Sequence, residues 1–437
     1  MKRRTFLKQM IAQGAAACFP AILPASALGL NGTVAPSNRI ALGFIGLGYE
    51  GKLKNLRVFM AQPEVQVVAL CDVFEKRLRG AHLAMQSYSL KPSAHEFETC
   101  FTTRDWREVV ARSDVDAVVI STPDHWHALP AIAAAKAGKD VFCEKPLSLT
   151  IREGRVLSDV MQQRQRIFQT ASEARASIKF LKACEWVRNG RIGKLHTIRV
   201  AIYGGFAQGG SPMNINPKPK PVPEGFDYDM WLGQAPEAFY TPVRYTKYRY
   251  ILDYSGGNLT DWGSHIFNVA QWGNDSDRTG PVSVEGTGRF ASDGLFNVAT
   301  EWNLTYEYAN GVKLNCVSGD YHVRFEGSDG WIQTDGDALD ASNPDILRSE
   351  IGPGEIRLRT CLEGEHRDFL NCVVSREPTF CPAETGHRAV TLGHLGNIAL
   401  MTGRKLKWNP EAEVFDNDEE ANRKISRTMR SPWTLES

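Results

Sequence analysis

Very little charge is left over in these 437 residues: 51 Lys and Arg stand against 50 Asp and Glu, a formal net charge of +1. A chain so balanced carries no polyelectrolyte signal, so neither a nucleic-acid surface nor a basic membrane-binding face is expected. The nine cysteines contain no C-x-x-C pair and no framework spacing, which removes the zinc-ribbon and disulfide-scaffold classes. Cys71 and Cys143 fall in apolar runs and read as small buried residues, while a disulfide among Cys361, Cys372 and Cys381 stays open. Apolar runs long enough to span a bilayer are missing too, so no stable membrane insertion is expected.

What is present begins with a basic leader, Arg3-Arg4-Thr5-Phe6-Leu7-Lys8, followed by a weakly apolar stretch from Met10 to Leu23 and the small-residue site Ala25-Ser26-Ala27. This reads as a twin-arginine signal over residues 1–27 and is set aside from fold reasoning. Cys18 lacks the bulky aliphatic three residues ahead that a lipid site needs, since that position is Ala15. The expectation is a chain that folds in the cytoplasm and is carried by the twin-arginine export machinery to the periplasm. Free thiols suit that route.

Residues 38–165 read as a dinucleotide-binding domain. An apolar strand from Arg39 to Ile45 runs into Gly46-x-Gly48-x-x-Gly51, a helical pattern follows through Phe59, and a second strand from Val65 to Leu70 ends at Asp72. The three glycines permit the tight turn, the approach of backbone to pyrophosphate and the helix–sheet contact. Asp72 suits a ribose hydroxyl and repels a 2′-phosphate, so NAD is favoured; Lys76 and Arg77 keep NADP in play. Strand, glycines, helix, strand and acid in register make a far more specific signal than the glycines alone. Two further strands, Ala117–Ile120 and Val141–Cys143, end in Ser121-Thr122-Pro123-Asp124-His125-Trp126-His127 and in Glu144-Lys145-Pro146. Ligands bind at such carboxyl ends. The cofactor-binding candidates are therefore Gly46, Gly48, Gly51, Asp72, Ser121, Thr122, Pro123, Trp126, His127, Glu144 and Lys145. Asp124, His125 and His127 invite a metal reading, but no complementary ligand set exists elsewhere and no metal is expected.

From residue 166 to 437 the pattern becomes that of a second α/β domain. A helix from Ile178 to Arg188 closes at Asn189-Gly190, and alternating segments follow, among them Leu195–Tyr203, Val282–Phe290, Glu301–Tyr308 and Val312–Val317. They predict a large open sheet, mainly antiparallel. Residues 205–250 are rich in Gly, Pro and aromatics, which suit either stacking on a sugar ring or packing on the sheet or a second subunit. Gly256-Gly257-Asn258-Leu259-Thr260-Asp261-Trp262-Gly263-Ser264-His265 opens a helix continuing to about Trp272. Leu259, Trp262, Ile266, Val269 and Ala270 form its apolar stripe; Asp261, His265 and Asn268 share another face. An acid and an imidazole four apart can hydrogen-bond, fixing the tautomer and raising basicity.

The glycine fingerprint at 46–51, Glu144-Lys145-Pro146 and Asp261-x-x-x-His265 appear in the order and spacing of the glucose-fructose oxidoreductase / inositol dehydrogenase / rhizopine-catabolism (Gfo/Idh/MocA) family. The resemblance covers the mature chain, extending to Gly190-Arg-Ile-Gly193 and Trp231-Leu-Gly-Gln-Ala-Pro236. It implies a doubly wound Rossmann domain plus an α/β domain whose open sheet often forms a dimer or tetramer surface. It also implies a catalytic set of Lys145, Asp261 and His265: His265 takes a hydroxyl proton, Lys145 stabilises the developing alkoxide and Asp261 orients His265. Arg175 lies where family members approach substrate, and Asn268 replaces an Asp common in related exported members. The implied activity is oxidation of a sugar, polyol or glycoside hydroxyl by tightly held NAD(P), since an exported protein has no soluble nicotinamide pool. A redox-neutral NAD-dependent glycosidase is the alternative, and a non-catalytic NAD-bound binding protein the third reading.

Overall fold

The computed structural model describes residues 34–89, 100–206, 216–291 and 294–436. The leader lies outside them. Residues Ile40–Ser437 form one compact unit.

Six parallel strands make the first sheet: β1 (Ile40–Ile45), β2 (Val65–Cys71), β3 (Phe101–Thr103), β4 (Ala117–Ile120), β5 (Asp140–Cys143) and β6 (Phe168–Thr170), in the order β3-β2-β1-β4-β5-β6. Every residue of β4 and β5 is buried, because helices cover both faces of a parallel sheet and only continuous apolar runs fit between them. The order reverses between β1 and β4, the crevice position at which such sheets bind ligands. The helix from Ile151 to Gln163 starts with a capping box: Thr150 accepts the Glu153 N–H at 3.2 Å, while Glu153 reaches back to the Leu149 N–H at 2.9 Å.

The second sheet has nine strands. In spatial order they are β13 (Leu339–Ala341), β12 (Gly330–Thr334), β11 (His322–Gly327), β7 (Leu195–Ile202), β10 (Lys313–Ser318), β9 (Ala299–Glu307), β8 (Ser283–Phe290), β14 (Leu406–Asn409) and β15 (Val414–Phe415). Only β7 and β10 run parallel; the other neighbours are antiparallel. Period-two alternation sets its faces: Trp302, Leu304 and Tyr306 of β9 are buried while Glu301 and Asn303 face out. The buried face lies under helices Ile178–Arg188, Gly263–Gly273 and Ala383–Thr402. Helix Ala383–Thr402 also packs on Ile151–Gln163, so one helix holds both sheets together. Truncating a side chain as buried as Leu304 to Ala costs about 2–5 kcal/mol. Cys361, Cys372 and Cys381 are free thiols.

Candidate active site

The glycine turn shows why its sequence has no alternative. Gly46 has φ +91°, and a Cβ there would lie 2.6 Å from the Ser121 carbonyl; one on Gly51 would lie 2.1 Å from the Gly46 oxygen. After the turn the chain runs as a π-helical stretch, Tyr49–Leu56, into Arg57–Met60. Asp72, at the end of β2, accepts the Leu47 N–H at 2.8 Å and the Phe74 N–H at 2.9 Å, and so fixes the turn. Burial raises its pKa against the pull of Arg77 and those two donors. Each oxygen keeps a lone pair for a ribose hydroxyl. A cavity of about 50 Å³, lined by Gly46, Asp72, Arg77, Arg104, Thr122 and Trp126 among others, opens beside this acid. A cradle that a Cβ would fill, an amide-rich turn and this acid fit NAD.

The other cofactor candidates divide into liners and ties. Ser121, Thr122, Pro123 and Trp126 line the cavity. Glu144 is buried and bound to Asn55, whose amide donates to Glu144 at 2.9 Å and to Ser121 at 2.9 Å; His366 meets the Asn55 carbonyl at 2.7 Å. His127 lies between the carbonyls of Pro146, at 2.6 Å, and Thr122, at 2.9 Å. Its ring therefore ties the β4 and β5 loops together. His125 turns away to the Trp231 carbonyl at 2.9 Å, as does the Trp126 indole at 3.0 Å, so the polar groups of this loop point in different directions.

The centre is a set of charges gathered from distant segments. Lys145 Nζ lies 2.6 Å from Asp261 Oδ1, and Arg249 Nε lies 3.4 Å from Oδ2. Burial works to raise the pKa of Asp261, but Lys145 and Arg249 outweigh it and hold the carboxyl below its ordinary range. His265 is buried on the following turn; burial and the adjacent Lys145 push its pKa down to about 3, so the ring is neutral, and its Nδ1 has no partner. Asp261 and His265 share a face as their spacing predicts, yet the carboxylate pairs with Lys145 instead of hydrogen-bonding to the imidazole. A full cation at contact outcompetes a neutral ring. Asp124 sits in the same field: burial and the charge of Asp261 push its pKa up to about 6, against Arg249, Ser255 and Lys145.

Four members of this field escaped sequence reasoning. Lys54 bridges to Glu173 at 2.7 Å, and both sense His265 electrostatically. Arg249 comes from the aromatic loop, and Asp124 from the loop whose acid and histidines invite a metal reading. The glycine motif marks the region of Lys54; no local signal marks Glu173 or Arg249.

Arg175 and Asn268 are brought together, but with each other. Arg175 clasps Asp277 at 2.9 and 2.5 Å, donates to the Asn268 carbonyl and lies over Trp272, 4.8 Å from the ring centroid. The Asn268 amide donates to Cys381 Sγ at 3.1 Å. No described contact joins this pair to Lys145 or Asp261.

The aromatic loop packs: Phe226, Tyr228, Trp231, Tyr240 and Tyr250 are buried in one cluster with Tyr254 and Phe296.

Comparison with known proteins supplies the wider frame. The family described as "Oxidoreductase family, NAD-binding Rossmann fold" (Gfo/Idh/MocA) matches residues 40–172, and its "C-terminal alpha/beta domain" matches residues 177–435. A levoglucosan dehydrogenase from Pseudarthrobacter phenanthrenivorans is 31% identical over 158 residues, 36% of this chain and 39% of that protein. An alpha-N-acetylgalactosaminidase from Shewanella oneidensis is 32% identical over 190 residues, 42% of this chain and 40% of that protein. The matches thus span less than half the length of these curated relatives. Among solved structures, the aldose-aldose oxidoreductase from Caulobacter crescentus, complexed with glycerol, superposes with a TM-score of 0.60 at 19% identity, over 84% of this chain and 99% of that one, a likeness of fold.

Proposed function

Because the chain belongs to the Gfo/Idh/MocA oxidoreductase family, we propose that it oxidises a hydroxyl of a sugar, polyol or glycoside with NAD(P) held tightly in the Rossmann cradle. The observation that carries the reading is a neutral His265 beside the Lys145–Asp261 ion pair. The neutral His265 imidazole accepts the hydroxyl proton. The Lys145 ammonium stabilises charge developing on that oxygen. Asp261 acts on Lys145, holding the ammonium in place at 2.6 Å, with Arg249 on its other oxygen. When bound, NAD supplies the hydride acceptor. An imidazole this weakly basic accepts the proton as the C–H bond breaks, when carbonyl formation makes the hydroxyl acidic. The Glu144–Asn55–His366 chain and the His127 tie hold the Lys145 loop at its station. Asp72 supports NAD over NADP, with Arg77 at 3.8 Å from it the feature that admits NADP.

A second reading is favoured by the likeness to the alpha-N-acetylgalactosaminidase: the same groups oxidise a sugar carbon transiently, the aglycone leaves, water adds and the carbon is reduced again. The proposal includes a periplasmic protein exported through the twin-arginine machinery, with 38–165 and 166–437 as its domains. It also includes a homodimer or homotetramer formed on the uncovered face of the nine-stranded sheet.

The test is absorbance at 340 nm of cofactor-replete protein titrated with free sugars and glycosides, with product analysis. A rise stalling at one equivalent until an oxidant is added supports the oxidoreductase; continuous sugar release without net absorbance change supports the glycosidase. If no substrate produces either, the reading fails.

A further inference from the structure

We propose that Tyr203, Trp262 and Tyr321 form a stacking platform for a second ring of the substrate, making this a site for ring-bearing glycosides; the inference rests on the reading above. Trp262 stands in sequence between Asp261 and His265, and Lys145 Nζ lies 5.9 Å from its ring centroid. Tyr203 meets it edge-on at 5.1 Å and Tyr321 at 5.6 Å, while the two tyrosines stack on each other at 5.7 Å and 22°.

Topology explains the meeting. Tyr203 follows β7 and Tyr321 follows β10, the one parallel pair of the second sheet, so both chains leave the sheet at the same end of its strands. That end adjoins the start of the catalytic helix, where Asn258 donates to the Tyr203 carbonyl at 2.8 Å.

Exposure separates Tyr203 from the ordinary packing of the aromatic loop. Tyr203 is 37% exposed, whereas Phe226, Tyr228, Trp231, Tyr240 and Tyr250 of the aromatic loop are buried. An exposed ring packed on Trp262, whose centroid is 5.9 Å from Lys145 Nζ, suits the flat C–H or π face of a ligand ring. Glu173 adds a carboxylate near the Tyr321 hydroxyl, whose pKa burial chiefly raises and Glu173 raises further.

The experiment is calorimetric titration of the holoenzyme with methyl glycosides, 4-nitrophenyl glycosides and disaccharides of glucose, galactose and N-acetylgalactosamine. Binding is read whether or not turnover occurs. For at least one sugar, the two-ring ligands bind about five- to tenfold tighter than the methyl glycoside. Tyr203→Ala brings that ratio towards one, and Tyr203→Phe, which keeps the ring, restores it. A gain confined to nitrophenyl ligands assigns the platform to aryl aglycones; a gain shared by disaccharides assigns it to sugars as well. The proposal is overturned if Tyr203→Ala leaves the ratio intact, if two-ring ligands gain nothing, or if no glycoside binds. The 340 nm response of the wild type reports separately on the activity reading.

Discussion

Two buried charge clusters in this molecule obey different rules. On helix Ala383–Thr402, Glu384 receives both arms of Arg155, at 2.8 and 3.0 Å, Arg388 Nε at 2.7 Å and the Ser158 hydroxyl at 2.8 Å. Glu413 Oε1 receives Arg155 at 2.8 Å, His387 at 2.7 Å and Arg388 at 3.1 Å. Burial opposes both carboxylates, and the donors still pull each pKa down to about 2. Among the described residues, only Glu413 Oε2 and His387 Nδ1 of this cluster are buried without a partner. Around Lys145 the balance is reversed: among the described residues Asp124 Oδ2, His265 Nδ1 and the Trp262 indole are buried without hydrogen-bond partners, and Asp261 Oδ2 and Arg249 Nε meet each other only at 3.4 Å. Saturated donors and acceptors make a brace; unsaturated ones make a place where a ligand completes the pattern.

Removing a central group should show the largest difference. Lys145→Met is expected to lower kcat/KM by about 10²–10³, and His265→Ala by about 10²–10⁴, with NAD retained by the purified protein. Near-wild-type turnover in either variant, measured with any substrate that gives the 340 nm response, would remove that residue from the mechanism. In the saturated cluster, Arg155→Met should instead cost about 1–3 kcal/mol of stability, because the buried Glu413 and the half-buried Glu384 lose their shared partner. Its kcat should stay within about twofold, the range expected of a group outside the reacting centre. Denaturant melts beside steady-state rates decide it, and a Michaelis parameter that fell while stability held would erase the contrast.

How much of this was legible in the sequence follows from the range of each interaction. Gly46, Gly51, Asp72 and the strands β1, β2, β4 and β5 answer to local rules of turn geometry and apolar runs, and appear in the structure where the sequence placed them. The common face of Asp261 and His265 was a matter of helical spacing. Their hydrogen bond was not, because Lys145 arrives from 116 residues away and captures the carboxylate. Arg249, Glu173 and Tyr321 carry no local mark and acquire meaning only when sheet edges meet. The aromatics of 205–250 left two readings open, and buried packing of Phe226, Tyr228 and Trp231 decides for that part of the loop. The aromatics beside the catalytic helix lie elsewhere, at Tyr203, Trp262 and Tyr321.

A finer division between the clusters lies in the sign of their pH dependence. Asp124 has a folded pKa of about 6, above its ordinary 3.8. Its contribution to stability is fully present below about pH 4 and is lost as pH rises through 6, on the order of 3 kcal/mol in all. Glu384 is the opposite case: its pKa is depressed from 4.5 to about 2, so its contribution is present above 4.5 and lost as pH falls through 2. Asp124→Asn, which keeps the shape and removes the charge, should therefore gain on wild type between pH 4.5 and 7.5, its melting temperature climbing relative to the parent. Glu384→Gln should lie below wild type by a nearly constant margin across the same window. Taking each variant against its parent at every pH cancels the buried histidines, which titrate in both proteins. Parallel curves for Asp124→Asn and wild type would mean that Asp124 is already ionised at pH 4.5, satisfied by Arg249 and Lys145. The two clusters would then differ in position alone, and the unpartnered atoms around Lys145 would no longer set it apart.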